Sequence, residues 1–424
     1  METVELGILG MGTVASGLIN IIELNGDKIV KATNKNIKIS KVLVKNLNKI
    51  RNVNLLQDVY TTNPYEVINN EATQILVELI GGVEPAYEYI KAALNNKKHV
   101  VTANKALIAT HGEELEKLAT ENNVKLMYEA SVGGGIPIIN TLTDNLVQND
   151  IEQIIGIVNG TTNYILSQMA ENGLEYEQAV KQAQELGFAE ADPSSDVNGD
   201  DAAYKIAILS SIAYGQRINI KDVPKEGITK ISKEDISYAK ELGYNIKLLA
   251  SSVKNGNEIE LRAHPAFVPS NHPFSTVKNE FNAVFLKGNA VGEILLYGKG
   301  AGSLPTGSAV LGDIISIIKN NNNNNNNKIE NKYIIANKAY KPYYIRLEVI
   351  DKPGVLGKIA NIFGNNNVSL ASVVQRQKNG NITAPLVFIT HEIERKNIDA
   401  ALEKISTYEY VTKIESIIMV ENFK

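Results

Sequence analysis

The sequence of 424 residues contains no cysteine, which excludes disulfide bonds, thiolate nucleophiles and cysteine-ligated zinc within it. Histidine occurs only five times, so we expect oxygen ligands for any bound metal ion. A basic excess is also missing, because the formal net charge is -4, and nucleic acid is therefore not an expected partner. No apolar run approaches the roughly 20 residues of a membrane helix, and the first residues do not resemble a signal peptide. We therefore expect a cytoplasmic protein with no membrane partner.

The length and the changes of pattern along the chain predict three domains of α/β type. Residues 1–130 read as a Rossmann-type NAD(P)-binding domain, and residues 131–319 as an α+β domain with a largely antiparallel sheet that supplies the substrate site. Residues 320–342 are predicted to be a linker, since they begin with an unbroken run of asparagines. Residues 343–424 follow the order βαββαβ and read as a ferredoxin-like domain.

The first predicted strand, Val4 to Leu9, leads into the turn Gly10-Met11-Gly12-Thr13 and a helix from about Val14. In this order of strand, turn and helix, backbone N–H groups can approach a pyrophosphate, and the helix dipole favours its negative charge. The pattern predicts a dinucleotide site, with a plain glycine-rich turn as the alternative.

The second predicted strand, Ile37 to Val44, ends at Lys45 instead of the acidic residue that would bind the ribose of NAD. Lys45 could face the 2′-phosphate of NADP, or could lie in a solvated basic loop. We therefore favour NADP over NAD. After the buried strand Ile75 to Ile80, Gly81 lets the backbone pass close to a nicotinamide ring.

Two charged residues follow later strands of the same domain. Lys105 comes just after the strand His99 to Thr102, where open parallel sheets bind ligands, so it is either a crevice residue or a surface residue. Glu129 ends a strand before a glycine-rich turn whose carbonyls could help to bind a cation. From residue types alone, a tight connection between that strand and a helix over Pro137 to Val147 is the simpler explanation.

In the middle of the chain, Asp201 and Lys205 lie four residues apart on one face of a predicted helix. That face continues through Ile208, Leu209 and Ile212, so Lys205 stands in an apolar stripe where its pKa can be tuned for proton transfer. A surface ion pair worth about 0.3–0.5 kcal/mol is the alternative.

Polar segments around this helix are candidates for ligand binding. Glu190 and Asp196 belong to an acidic stretch that is a solvated loop, a calcium site or a pocket for an ammonium group, and the spacing of a calcium loop is not met. Asn159 to Asn163 could hydrogen-bond a small polar ligand or cap the next helix. The glycine-rich segment Tyr297 to Thr306 could close over a cofactor or lead back to the first domain. Near the C-terminus, Gly354 opens a helix where a carboxylate ligand could bind.

Taken together, these segments resemble the homoserine dehydrogenase family, in its longer form with a C-terminal ACT domain. The stretches that carry the resemblance are GILGMGTVASG, HVVTANKAL, EASVGGGIP, GIVNGTTNYIL, GFAEADPSSDVNGDDAAYK, NEFNAV and YGKGAGSLPT. The family's amino-terminal aspartate-kinase fusion is not expected, since the first strand begins almost at Met1. The resemblance implies NAD(P)H-dependent interconversion of L-aspartate 4-semialdehyde and L-homoserine, in the synthesis of threonine, methionine and isoleucine.

The resemblance also implies roles for single residues. Lys205 matches the proton donor, and Lys105 matches a lysine between cofactor and substrate. Glu190 and Asp201 match carboxylates that bind the substrate, which agrees with the ammonium group of an amino acid. The remaining matches are Thr161 and Asp196 in the substrate pocket, Thr13, Val14, Gly187 and Gly302 at the cofactor, and Glu129, Val132, Gly134 and Ile136 around a sodium ion.

For the C-terminal domain, the segment DKPGVL resembles an amino-acid site of ACT domains, with threonine as the natural effector. A homodimer or homotetramer is implied as well. The sequence departs from the family pattern in the asparagine run and in Phe188, where some members have tyrosine. Two rival interpretations are a dehydrogenase for another small amino acid or semialdehyde, and a ligand-binding regulator without turnover.

Overall fold

The computed structural model describes residues 1–319, 332–336, 338–376 and 382–423. The asparagine run therefore lies outside the described residues, and so does most of the predicted linker. Among the described residues, no helix is both long and apolar enough to cross a membrane.

The chain alternates strands and helices in its first third and becomes richer in strands later. The strands are β1 (Glu2–Leu9), β2 (Lys35–Leu43), β3 (Tyr60–Thr61), β4 (Thr73–Glu78), β5 (His99–Thr102), β6 (Leu126–Met127), β7 (Ile151–Ile157), β8 (Tyr244–Asn255), β9 (Glu258–Pro269), β10 (Phe281–Gly288), β11 (Gly292–Lys299), β12 (Ile334–Ala336), β13 (Tyr340–Lys341), β14 (Tyr343–Ile350), β15 (Leu370–Gln375), β16 (Thr383–Thr390), β17 (Ile393–Glu394) and β18 (Val411–Val420). The helices are α1 (Thr13–Thr33), α2 (Pro64–Ile68), α3 (Ala86–Asn95), α4 (Lys105–Glu121), α5 (Ile138–Asn140), α6 (Gly160–Asn172), α7 (Tyr176–Glu185), α8 (Ser194–Val197), α9 (Asp200–Tyr214), α10 (Lys233–Glu241), α11 (Ser303–Ile318), α12 (Val355–Asn365) and α13 (Arg395–Ser406).

The N-terminal domain is built on a parallel sheet with the strand order β3-β2-β1-β4-β5-β6. The central strands β4 and β5 are mostly buried because helices cover both faces of the sheet. The chain reverses its direction of winding beside β1, so β2 and β4 flank that strand and a crevice opens at their carboxyl ends. This confirms the predicted Rossmann-type fold.

Helix α11 packs in this domain although the sequence placed it in the middle one. A Cβ atom on Gly17 of α1 would lie 2.0 Å from the carbonyl oxygen of Ser303. The apolar face of α11, including Val310 and Ile314, joins the core formed by β1 and α1. Glycine is needed at this crossing because the two backbones are too close for a side chain.

The middle domain contains the antiparallel strand order β11-β10-β7-β8-β9, as the alternating pattern predicted. Helices α6 and α9 pack on it, and their apolar side chains share one core with the sheet. The C-terminal domain has the order β18-β14-β16-β15 with antiparallel pairing, which confirms its ferredoxin-like topology.

Three local predictions were wrong. The helix expected over Pro137 to Val147 is a single α-helical turn, Ile138–Asn140, followed by a π-helical turn, Thr141–Asn145. The strand expected to reach Glu129 ends at Met127, and Glu129–Ser131 forms a 3-10 turn. The end of the predicted linker is ordered, because β12 pairs with β9 and β13 pairs with β17.

The C-terminal domain is also joined to the middle domain more closely than the sequence suggested. Strand β18 pairs in parallel with β9 through Met419–Ala266 and Val420–Phe267, so one sheet runs through both domains. The ring of Tyr344 stacks on Phe267, with centroids 4.4 Å apart. The two domains therefore share backbone hydrogen bonds and core packing.

Candidate active site

The turn after β1 forms one side of the crevice. Gly10 has a φ of +99°, and a Cβ atom there would lie 2.9 Å from the carbonyl oxygen of Leu79, so the turn requires glycine. Gly12 precedes α1, and the space where its Cβ would stand is open. Thr13 and Val14 are the first residues of α1, whose amino end faces this space and favours an anion.

The second glycine-rich segment lies beside this turn. Gly302 has a φ of +122° and precedes α11, and the hydroxyl of Ser303 donates a hydrogen bond of 2.8 Å to the carbonyl of Thr13. The structure thus places Gly302 close to Thr13, and contact of either residue with a cofactor stays a prediction.

The basic residues after β2 form a loop at the edge of the crevice. Lys45 is exposed. The Arg51 guanidinium lies 4.9 Å from the ring centroid of Tyr60 and donates hydrogen bonds to the carbonyls of Asn46 and Lys49. Arg51 is therefore held in place, while Lys45 extends into solvent.

Glu78 organises the carboxyl ends of β4 and β5, and the sequence reasoning missed it. Its buried carboxylate accepts hydrogen bonds from the hydroxyl of Thr102 (2.6 Å) and from the backbone of Ile80 and Gly81. Asn104 caps α4 and also donates to the carbonyl of Gly82. The available signal was a single acid inside the otherwise apolar run from Ile75 to Ile80, three residues before Gly81.

Lys105, Asp201 and Lys205 form a cluster where α4 meets α9. Lys105 is the first residue of α4 and forms an ion pair with Oδ1 of Asp201. The ammonium of Lys205 lies 2.7 Å from Oδ2 of the same carboxylate and donates to the carbonyl of Val158 at 2.7 Å. Asp201 is buried, and the Lys205 side chain is 10% exposed against 39% for Lys105. The pair is therefore not the surface ion pair that the spacing allowed.

The two lysines differ in the direction of their pKa shifts. Burial lowers the pKa of Lys205 below its ordinary value, and the attraction of Asp201 offsets this only in part. Burial also acts to lower the pKa of Lys105, but Asp201, Asp196 and Glu190 together raise it above its ordinary value. Burial would raise the pKa of Asp201, yet the two ammonium groups hold it well below its usual range. Lys205 is thus the better acid, and Lys105 is the more persistent cation.

Asn159 connects two neighbouring carboxylates. Its amide nitrogen donates hydrogen bonds to Asp196 (2.7 Å) and Asp201 (2.8 Å), while its oxygen accepts from the backbone of Thr162 and caps α6. The hydroxyl of Thr161 donates to the carbonyl of Phe188 at 2.7 Å, which ties α6 to the loop after α7. The segment from Asn159 to Asn163 therefore caps α6, while a hydrogen bond from it to a small polar ligand stays a prediction.

The loop after α7 carries the more exposed candidates. Gly187 has a φ of +75° with open space around it, and Glu190 is exposed. Gln184 holds this loop by donating to the carbonyl groups of Glu190 and Ala191. Glu190 therefore lies at the entrance to the cluster, near enough to raise the pKa of Lys105.

Glu129 is buried beside the turn between the two domains. Its carboxylate accepts hydrogen bonds from the backbone of Ile139 (2.9 Å) and Asn140 (2.6 Å), and burial raises its pKa to about 7. Asp313 of α11 accepts from the backbone N–H of Glu129 and has a pKa raised by burial to about 8. The sequence reasoning missed Asp313.

The turn that follows is tightly packed. Gly134 has a φ of +55°, and a Cβ atom there would lie 2.4 Å from the carbonyl oxygen of Gly300. The carbonyl of Ile136 accepts a hydrogen bond from Ile138, which leaves one lone pair for another partner. In the described part of the chain, no group of three or more His, Asp or Glu side chains is placed to hold a metal ion. A cation here would depend mainly on backbone carbonyls such as those of Val132, Gly134 and Ile136.

A dinucleotide-type sheet contributes Lys105, and a second domain contributes the buried pair of Asp201 and Lys205, which indicates a nicotinamide-dependent oxidoreductase. Family models match residues 10–129 (homoserine dehydrogenase, NAD binding domain), 137–315 (homoserine dehydrogenase) and 343–409 (ACT domain). The homoserine dehydrogenase of Bacillus subtilis is 41% identical over 99% of both chains. The chain belongs to the homoserine dehydrogenase family and is an oxidoreductase that acts on a CH–OH group.

Solved structures agree with this assignment. A homoserine dehydrogenase from Thiobacillus denitrificans superposes with a TM-score of 0.91 at 37% identity, covering 100% of this chain and 99% of that one. A hyperthermophilic archaeal homoserine dehydrogenase in complex with NADPH covers 74% of this chain and 97% of its own, with a TM-score of 0.62 and 30% identity. A nicotinamide cofactor is therefore part of the chemistry of this family.

Proposed function

We propose that this chain interconverts L-aspartate 4-semialdehyde and L-homoserine with NAD(P)H, and that Lys205 is the proton donor. The observation that carries the proposal is the convergence of Lys105 and Lys205 on the buried carboxylate of Asp201. A hydride acceptor bound there would be within reach of two ammonium groups with different acidities. That difference suits one group to give a proton and the other to hold a charge.

In the reducing direction, a nicotinamide cofactor bound in the crevice would supply the hydride, and negative charge would develop on the aldehyde oxygen beside Lys105 and Lys205. Lys205 donates its proton to that oxygen, which completes the alcohol and leaves a neutral amine. Its lowered pKa makes this transfer easier than it would be from an ordinary lysine. Lys105, whose pKa is raised, stays charged and stabilises the developing negative charge.

The carboxylates fit the other end of the substrate. Glu190 at the entrance and Asp196 beside Asn159 place negative charge where an amino acid's ammonium group would bind. Asp201 lies deeper, with its oxygens held by Lys105, Lys205 and Asn159. It therefore orients the lysines and adds to the field that attracts the ammonium group. Thr161 shapes the pocket through its bond to the carbonyl of Phe188.

For the cofactor, the glycine turn at Gly10 and Gly12 would hold the pyrophosphate, together with Thr13 and Val14 at the start of α1 and the nearby Gly302. Gly81 and Gly187 have open space where a Cβ atom would stand, which leaves room for the nicotinamide end of the cofactor. We prefer NADP to NAD because an exposed lysine, Lys45, follows β2 where an acidic residue would favour NAD.

A sodium ion is proposed at Glu129, Val132, Gly134 and Ile136. One carboxylate and several carbonyl oxygens are the ligand types that a hard cation prefers, so the residues present fit such an ion. The ion would supply positive charge that keeps the buried Glu129 carboxylate ionised and holds the turn against Gly300. That turn connects the two halves of the crevice.

The ACT domain supports regulation by an amino acid, and we propose threonine as effector. A homodimer or homotetramer is proposed with it. A cytoplasmic location stays a prediction.

Steady-state homoserine oxidation with NADP⁺ and NAD⁺ tests the proposal, with Lys205→Ala compared with Lys181→Ala. Lys181 is 78% exposed on α7 and serves as the matched control. We expect wild type to prefer NADP⁺, Lys205→Ala to lose kcat by about 10²-fold or more while still binding NADPH, and the control to be unaffected. Near-normal turnover in Lys205→Ala would remove Lys205 from the mechanism, and equal KM values for both cofactors would remove the role of Lys45.

A further inference from the structure

A cavity of about 360 Å³ lies between the middle domain and the C-terminal domain, away from the cofactor crevice. One wall is the segment 226–231, and the other is strand β18 from Ile414 to Ile418, with Arg395 at the start of α13. The catalytic mechanism makes no use of this space.

The cavity offers charges of both signs over an apolar floor. Lys230 and Arg395 contribute cations, Glu226 and Glu415 contribute carboxylates, and isoleucines such as Ile231 line the floor. Arg395 also pairs with Asp399, and Glu415 with Lys413, so each keeps part of its charge satisfied without a ligand. A small free amino acid matches this lining, because it has a carboxylate, an ammonium group and a short side chain.

The first wall is in direct contact with the backbone of the active-site loop. A Cβ atom on Gly227 would lie 2.1 Å from the carbonyl oxygen of Val197 and 2.6 Å from the Cα of Asn198. The N–H of Ile228 donates to the same carbonyl at 2.8 Å. Val197 ends α8, the helix that carries Asp196, so a shift of segment 226–231 would act on Asp196 through this contact.

The second wall is fixed to the middle domain by a buried ionic network. Ser416 donates to Oδ2 of Asp235 at 2.7 Å, and the Arg346 guanidinium donates to Oδ1 at 2.8 Å. The hydroxyl of Tyr344 also donates to Oδ1, at 3.0 Å, and Asp235 is buried. The same network holds Ser232, the residue after segment 226–231, because its hydroxyl donates to Asp235 and accepts from Arg346, so both walls of the cavity meet at one buried carboxylate.

We propose that this interdomain cavity is a binding site for a free amino acid, and that its occupancy is transmitted to Asp196 through the contact of Gly227 and Ile228 with Val197. The inference rests on the proposed regulation by an amino acid and gives that regulation a place distinct from the DKPGVL turn. Because Asp196 faces the substrate's ammonium group, binding in the cavity changes KM for the semialdehyde more than kcat.

The test uses the full chain and L-threonine as the probe, with calorimetric binding and steady-state reduction measured in parallel. The double variant Lys230→Glu/Arg395→Glu removes both cations of the cavity. The matched control is Lys396→Glu, which is the next residue on α13 and has a side chain 77% exposed. Lys352→Glu tests the DKPGVL turn. We expect the double variant to bind threonine about 10-fold more weakly or worse, and to lose the effect of threonine on KM, with basal kcat unchanged.

The outcomes separate threonine regulation itself from the location of the threonine site. Wild type that neither binds nor responds to threonine overturns both threonine regulation and the site. Wild type that responds, with the double variant responding equally, overturns the cavity alone, and so does a loss of response confined to Lys352→Glu. A loss confined to the double variant supports the cavity.

Discussion

Replacing Asp201 by asparagine should destabilise the protein in a way that depends on pH. Asp201 is the carboxylate shared by Lys105 and Lys205, and Lys205 is almost fully buried. Removing one partner of a buried ion pair costs about 3–5 kcal/mol. We expect the lower end, about 3 kcal/mol, because asparagine can still accept a hydrogen bond. For a domain of this size that is a fall in Tm of roughly 6–12 °C at pH 7.

The sign of the pH dependence follows from the lysine. In Asp201→Asn, the folded state disfavours the protonated form of Lys205 even more than in wild type, so the pKa of Lys205 falls further below its unfolded value. The loss of stability is then largest at neutral pH and shrinks as the pH rises toward the ordinary pKa of lysine. In wild type, the pKa of Asp201 is depressed, so its contribution is present at neutral pH and is lost in acid.

Thermal unfolding of both proteins between pH 7 and pH 10 measures this effect. Asp200→Asn is the matched control, since Asp200 is the neighbouring residue and forms a half-exposed pair with Lys225. That control should change stability by less than about 1 kcal/mol. An Asp201→Asn variant with the Tm of wild type at pH 7, or with a deficit that does not vary with pH, would refute the burial of charge at this site.

Two further predictions concern the buried ammonium group of Lys247 and the close crossing of α1 and α11. Burial lowers the pKa of Lys247 to about 8, while its ammonium donates to Asn163 and Val277. Wild type should therefore gain about 3 kcal/mol relative to Lys247→Met as the pH rises from 8 to 10.5, measured by urea unfolding, and a constant difference would contradict this. Gly17→Ala should force α1 from α11, costing about 1–3 kcal/mol and weakening NADPH binding in fluorescence titration. Gly26→Ala, with open space around it, is the control, and equal behaviour of the two variants would disprove the close crossing.

The features that local sequence predicts best are those set by neighbouring residues. The strand, the glycine turn and α1 follow one another within a short segment, so Gly10 and Gly12 could be placed before the fold was known. Asp201 and Lys205 share a helix face for the same reason. The apolar residues around them also indicated burial, and the structure agrees.

Contacts between distant segments could not be predicted in this way. Lys105 reaches Asp201 only because the two domains pack together, and nothing in the spacing of either residue indicates it. The junction of β18 with β9 depends on two backbone pairs, Met419–Ala266 and Val420–Phe267. Gly227 gave no signal of its contact with Val197, since glycine in a loop has many explanations. These tertiary contacts join the C-terminal domain to the site.

The most direct test of the central claim is chemical rescue of Lys205→Ala by small amines. If Lys205 transfers a proton to the aldehyde oxygen, alkylamines should restore semialdehyde reduction in proportion to their concentration, with a rate that depends on the amine's pKa. Guanidinium ions carry charge but do not give up a proton near neutral pH, so they should not rescue. Rescue that is equal with amines and guanidinium, or a variant that needs no rescue, would contradict proton transfer by Lys205.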